Sequence, residues 1–388
     1  MISDPDDGAP IKTSHGAVQI VGSAKQIDAA LWKRTFSEDL LDSRFYELIE
    51  ETLREQFDFR YAILRNDRRG ETAVQPFFLV NHEISTGLPS RVRSILSRAP
   101  DWLLRRLKIK MLGVGCVAGE GQLALAEPWY LEALDEALGH YASRVNAKLI
   151  FFKDFPARDR EAFAPLLRKG YRRVASMPST KLDLGFDSFE DYLKTRLSRE
   201  SRSQLRRKFR DSQKLGTLSL EVVNDATPYA DDLFDLYLQT HLRSEFRFEQ
   251  LTRDFFSQLG KRMPDHTRFF LWRKEGKLVA FALCMVHRGV LHYLNLGMDY
   301  PEALNLHLYD VVWRDLMSWA LDQNLNGIKM GQLNYEAKFR LGFQLAPLDL
   351  YVRHTSVAFN PFFAFALTFL EPTRYAPALR KFPNAREL

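Results

Sequence analysis

The chain has 388 residues, 46% of them hydrophobic and 13% aromatic, which suits two packed cores and excludes general disorder. Lys and Arg total 55 against 49 Asp and Glu, a net charge of +6 that fits a phosphate-bearing ligand, an anionic membrane surface or RNA and selects none of them. Two cysteines in apolar runs, Cys116 and Cys284, argue against a disulfide framework or zinc ligation and fit a cytoplasmic protein; the acidic start is not expected to be a signal peptide, and no apolar run reaches the roughly 18 residues of a membrane span.

Residues 1–15 read as disordered, and 17–22 as a first strand. Segments 29–36 and 40–56 read as helices; in the second, Leu41, Phe45, Leu48 and Ile49 recur at helical spacing. A hairpin is expected over 60–64 and 73–81, then a basic amphipathic helix over 92–108 and a glycine-rich strand over 111–117. A helix over 128–146, a strand over 149–155, a helix over 158–169 and one or two strands within 171–184 complete a mixed α/β lobe.

Residues 188–216 read as one long basic helical segment. Ser188 is its expected N-cap, and Gly216 its stop. The second half repeats the style of the first: a strand at 218–223, helices at 229–242 and 248–262, and a hairpin over 267–274 and 277–287 turned by Glu275-Gly276. A strand at 290–297, a helix at 305–323, a strand at 327–332 and a last strand at 348–354 follow. The expected fold class is α/β (α+β, mixed sheets), with two tandem lobes, each a central mixed sheet flanked by helices. The expected divisions are 1–15, 16–186, 187–357 and a Phe-rich tail, 358–388.

Strand 290–297, the helix after it and strand 327–332 form a βαβ unit, whose strand ends are the place for a site. The helix N-terminus suits a phosphate, with Asn305 as its cap and His307 in its first turn. After the second strand, Tyr335, Glu336, Lys338 and Arg340 crowd six positions. Tyr335 and Lys338 share a helix face at i and i+3: a phenol for acid work and a cation for an oxyanion. The bland alternative is a solvated helix start with Arg340 paired to Glu336. His292 and Tyr293 lie on opposite faces of their strand, and Asn295 is expected to join Tyr293. Glu245 lies in a helix–helix junction of the kind that binds substrates. Arg199, Arg202, Arg206 and Arg210 form one helix stripe, which is either a landing strip for a phosphate backbone or a solvated face.

Asp191-Tyr-Leu-Lys-Thr-Arg-Leu and Arg206-Arg-Lys-Phe-Arg resemble the opening of acetyltransferase-like domains grouped with cellulose-biosynthesis and biotin-cluster proteins. Phe234-x-Leu-Tyr, Val279-Ala-Phe-Ala-Leu, Leu306-His and Gly331-Gln…Tyr335-Glu-Ala-Lys-Phe-Arg-Leu-Gly-Phe look like the GNAT superfamily in its peptidoglycan-type, Fem-like branch. The resemblance spans about 185–355 and is most specific in its closing block. It implies a GNAT fold, often doubled, and acyl transfer to an amine or hydroxyl. It places acyl-CoA (acetyl-CoA) along Asn295 and Leu296, with the pyrophosphate at Asn305, Leu306 and Leu308. Tyr293, Glu245, Gln332, Glu336 and Arg340 then fall to the small-molecule or peptide acceptor, and Tyr335, Lys338 and His307 to catalysis.

The usual Arg/Gln-x-x-Gly-x-Gly/Ala pyrophosphate loop is absent, and Asp299-Tyr-Pro-Glu-Ala-Leu-Asn-Leu stands in its place. Fem-type relatives take the acyl group from aminoacyl-tRNA, so an aminoacyl-tRNA-dependent transferase is the alternative, with tRNA on the 196–210 arginines. A third reading is a non-catalytic module that docks on membranes through the Phe-rich tail. No metal is expected.

Overall fold

The computed structural model describes residues 9–36, 39–83, 108–244, 247–361 and 372–388. In chain order its first elements are β1 (Ile11–Thr13), β2 (Gly16–Val21), α1 (Ala29–Thr35), α2 (Ser43–Leu53), β3 (Asp58–Asn66), β4 (Glu71–Glu83), β5 (Lys108–Val114), α3 (Pro128–Arg144), β6 (Leu149–Pro156), α4 (Ala164–Arg168) and β7 (Arg172–Ala175). Then come β8 (Ser179–Asp183), α5 (Phe189–Arg196), α6 (Arg199–Lys214), β9 (Leu218–Val223), α7 (Ala230–His241), α8 (Arg253–Arg262), β10 (Thr267–Lys274), β11 (Lys277–His287) and β12 (Val290–Met298). The chain closes with α9 (Tyr300–Asn305), α10 (Leu308–Asp322), β13 (Gly327–Met330), α11 (Tyr335–Arg340), β14 (Gln344–Ala346), β15 (Leu348–His354) and α12 (Pro372–Tyr375).

These elements form two compact units, Met1–Met177 with Pro347–Tyr375 and Pro178–Ala346 with Ala376–Leu388. The first holds an eight-stranded sheet in the order β1-β2-β3-β4-β5-β6-β15-β7, and the second a seven-stranded sheet, β14-β8-β13-β12-β11-β10-β9. Each is mixed: β5 runs parallel to β6 and β12 parallel to β13, while their other pairings are antiparallel. Helices connect the parallel strands in both, as parallel pairs require.

Once an exchange is recognised, the seven strands of the second sheet correspond in order to β2 through β7 with β15 of the first, and β1 is left over. β8 leaves the first unit and pairs with β13 in the second; β15 leaves the second and pairs with β6 in the first. The expected boundary at 186/187 therefore lies at 177/178, and the strand expected to close the second lobe belongs to the first. Met177-Pro178 marks the crossing: Pro lacks the N–H that a continuous strand would need.

The expected disorder of 1–15 is corrected over Ile11–Thr13, which pairs with β2. The long helix expected over 188–216 is two helices. Ser188 accepts from Asp191 N at 3.1 Å and Ser198 from Ser201 N at 3.2 Å, so each start has its own hydroxyl cap. The basic helix expected at 92–108 and most of the Phe-rich tail lie outside the described residues. Among the described residues no helix is long and apolar enough to cross a membrane.

In the second unit β10, β11 and β12 form a tight meander. Glu275-Gly276 and Arg288-Gly289 all take positive φ, the two-residue turn whose twist matches the strands. Phe256, Phe269, Phe270, Leu271 and Phe281 are buried around it. Gly297 admits the backbone of α7 against β12: a Cβ there would stand 2.9 Å from the Leu236 carbonyl carbon.

Candidate active site

The centre of the second unit is where β12 and β13 part. They pair over four rungs, Val290↔Gly327, Leu291↔Ile328, His292↔Lys329 and Tyr293↔Met330. β13 then stops, while β12 runs on to Met298. Its last five residues span about 15 Å, so one long strand edge diverges from its neighbour and forms a notch. On its other side β12 carries a bulge: Cys284 pairs with Tyr293 but Leu283 with Asn295, leaving Leu294 as the extra residue.

The bulge corrects one expectation. Cross-strand partners share a face, and Cys284 and Leu283 face opposite ways, so Asn295 and Tyr293 do too. Tyr293 and His292 remain on opposite faces. Burial, then Lys329, His287 and His266, hold the His292 imidazole down to about 4, so it is neutral at physiological pH.

The chain leaves β12 through Asp299, which pairs with Lys277 at 2.7 Å, and turns through α9 into α10. Asn305 does not cap α10. It ends the preceding helix, where its Nδ2 donates to the Pro301 carbonyl at 3.4 Å. The N-cap is His307, left-handed at φ 48°, and no side chain caps the first turn. Leu306 and Leu308 are fully buried on either side of His307 and fix the kink between them, so their side chains are core and only their backbone can meet a ligand. Basic groups of α6 accompany this turn. Lys208 pairs with Asp310 at 2.8 Å, and Asp211 feels Lys214, Arg207 and His307, which lower its carboxyl.

β13 leaves through Gly331-Gln332-Leu333-Asn334, where Leu333 (φ 73°) and Asn334 (φ 53°) are both left-handed, a strained pair of the kind found at sites. α11 follows and brings Lys338 back beneath this exit. The Lys338 side chain is buried, and its Nζ donates to the carbonyls of Gly331 and Gln332. Burial lowers its amine to about 7. Lys338 Nζ also lies 5.7 Å from the centre of the Tyr335 ring, so these two expected residues do meet.

Tyr335 has another task. Its hydroxyl is buried and donates to the Pro178 carbonyl at 2.7 Å, tying α11 to the start of β8. Glu336 pairs with Arg340 at 3.2 Å and with Lys381 at 2.7 Å, so the solvated ion pair describes both better than substrate binding does. Gln332 is exposed. Glu245 lies outside the described residues.

The arginine stripe is partly engaged. Arg202 donates to the carbonyls of Lys194 and Leu197, and Arg206 pairs with Glu190 at 2.6 Å. Arg199, Arg207 and Arg210 are exposed.

The matching step in the first unit, from β5 into β6, is closed by its own chain. Gly121 N donates to the Asp154 carbonyl at 3.0 Å, and a Cβ on Gly121 would stand 2.5 Å from the Lys153 oxygen. Among the described residues no group of three His, Cys, Asp or Glu could hold a metal ion.

Residues 199–338 match the family model described as an acetyltransferase (GNAT) domain. The matched residues lie within the second unit. A likeness of fold extends over most of the chain. FemX is similar at TM-score 0.53 and 13% identity, over 84% of this chain and 96% of that one. The C-terminal domain of a putative lysylphosphatidylglycerol synthetase from Agrobacterium fabrum is similar at TM-score 0.50 and 14% identity, over 89% and 95%. A putative 8-amino-7-oxononanoate synthase 2 of Mycobacterium tuberculosis is 22% identical over 227 residues, 54% of this chain and only 28% of that protein's length. The family match thus lies within the second unit, and the solved structures extend the likeness, as a fold, over most of the chain.

Sequence reasoning missed the bulge at Leu294, the left-handed His307 and the buried hydroxyl of Tyr293. The two positive-φ residues after β13 carried one signal, an Asn at a strand exit, since Asn enters that conformation more readily than most residues.

Proposed function

We propose that the protein transfers an acyl group from acyl-CoA to an amine, or a hydroxyl, of a small-molecule or peptide acceptor. The observation that carries this is the divergence of β12 from β13 at Tyr293 and Met330, with Lys338 anchored at the exit of β13. The free edge of β12 has backbone groups for an extended, amide-bearing arm to bond like an added strand. The uncapped N-terminus of α10, with Arg207 and Lys214 of α6 acting on the neighbouring Asp211, suits the phosphates at the far end of that arm.

Lys338 serves the chemistry. As an ammonium fixed by two carbonyls, it stabilises the negative charge that develops on the acyl oxygen when the acceptor attacks, and gives a proton to the leaving group. An amine near 7 is suited to that exchange at neutral pH. Tyr335 supports this by fixing α11, and His307 or water takes the acceptor's proton. Thermal stability in the presence of acetyl-CoA, longer acyl-CoAs and free CoA tests the donor. A ligand at about a hundred times its Kd adds roughly 2.7 kcal/mol, so a CoA species that binds raises the midpoint visibly. No shift with any of them refutes the reading.

A second reading, transfer from aminoacyl-tRNA, is favoured by exposed Arg199, Arg207 and Arg210. It requires binding of charged tRNA that weakens steeply with salt, and a flat salt response refutes it.

A further inference from the structure

We propose that the Tyr293 hydroxyl donates a hydrogen bond to the carbonyl oxygen of the acyl group while that group is held, as thioester or ester, in the notch between β12 and β13. The inference rests on the acyltransferase reading above and assigns the atom that recognises the acyl group itself.

Tyr293 occupies the last shared rung of the parallel pair, opposite Met330. One residue later the bulge turns β12, and the strands part. Its side chain lies on the Cys284 face, where Tyr309 of α10 also acts on it. Asn334, at the exit of β13, acts on the Tyr309 hydroxyl and lowers its pKa against the larger effect of burial. Two phenols thus stand by the gap between β12 and the β13 exit. The Tyr293 hydroxyl is buried and has no hydrogen-bond partner among the described residues. Burial, then Tyr309 and Cys284, raise its pKa, so it keeps its proton and can donate it.

A buried O–H with no partner destabilises the folded state, and Phe would fill the same space without that loss. The hydroxyl therefore weakens the free protein at the point where an arriving carbonyl would need a donor. Functional sites commonly hold groups that work against stability in this way.

The test is Tyr293→Phe in the full chain. Unliganded, the variant should melt about 2 °C higher, because it loses an unsatisfied donor. Binding is then measured by calorimetry with acetyl-CoA and with free CoA, which has the same arm but no acyl carbonyl. The variant should bind acetyl-CoA roughly tenfold more weakly and CoA unchanged, so the wild-type preference for the acylated form disappears. A parallel arm with aminoacyl-tRNA and deacylated tRNA reads the same ratio for the ester and identifies the source of the carbonyl.

A variant that melts lower, or fails to fold, shows that the hydroxyl has a partner in the protein and overturns the proposal. So does an unchanged melting point. A variant that keeps the acyl preference of the wild type overturns the proposal and leaves the acyltransferase reading standing. A wild-type protein that binds no donor in either arm overturns both.

Discussion

Lys338→Met replaces a buried amine with an apolar chain of similar length. Burial lowers the amine from its ordinary 10.5 to about 7, so the folded protein binds this proton more weakly than the unfolded chain does. Between those values the unfolded state holds more protons, and stability rises with pH. A shift of that size is worth about 5 kcal/mol, carried in full as a penalty below pH 7 and removed as pH approaches 10.5. Methionine carries no such penalty, but it leaves the carbonyls of Gly331 and Gln332 without their donor, at about 1–3 kcal/mol. The variant should therefore be more stable than wild type by about 2–4 kcal/mol at pH 6, and slightly less stable at pH 10. Urea denaturation of both proteins from pH 6 to 10 measures this, and the difference between them cancels every other titration. Catalysis should move the other way. The variant should lose about 100-fold or more in kcat, and wild-type activity should fall as pH rises through 7, because the ammonium is the working form. A stability difference that stays flat from pH 6 to 10 refutes the argument, since it means the amine titrates as it does in water.

Tyr335→Phe leaves the Pro178 carbonyl without its donor, so it should cost about 1–3 kcal/mol in urea denaturation while kcat falls less than in Lys338→Met; the reverse ranking in kcat would make Tyr335 the chemical residue. Gly297→Ala drives a methyl into the Phe281 ring and to 2.9 Å from the backbone of Leu236, so α7 must lift from β12, and denaturation should show a loss of about 1–3 kcal/mol. Exchanging Arg199, Arg207 and Arg210 for Gln should reduce the salt slope of tRNA binding by about three if those side chains meet phosphates, and should leave acetyl-CoA binding by Arg199 and Arg210 single variants unchanged.

What was legible in the chain was what its neighbours in sequence decide. Alternation and turn chemistry located the strands of the second meander, and Glu275-Gly276 and Arg288-Gly289 have the conformations their residues favour. The i, i+3 spacing of Tyr335 and Lys338 placed both on one buried face. What was not legible depends on distant partners. Residues 348–354 alternate as any strand does, and nothing within them says that they pair with β6 rather than with β13. The face of Asn295 followed from a period of two until a bulge at Leu294, three residues before the strand's glycine, broke the count. Tyr335 and Lys338 show the same division at the site. Both are polar, buried and adjacent, and their spacing assigns them equal claims to the chemistry. The difference lies in what each one touches. The phenol is engaged by Pro178, 157 residues away, whereas the amine turns back to carbonyls six and seven residues before it, at the end of the strand that forms the notch. A donor bound to a fixed distant carbonyl braces the fold. A half-protonated amine held at a strand exit has a proton to give, and on that ground the chemistry is assigned to Lys338.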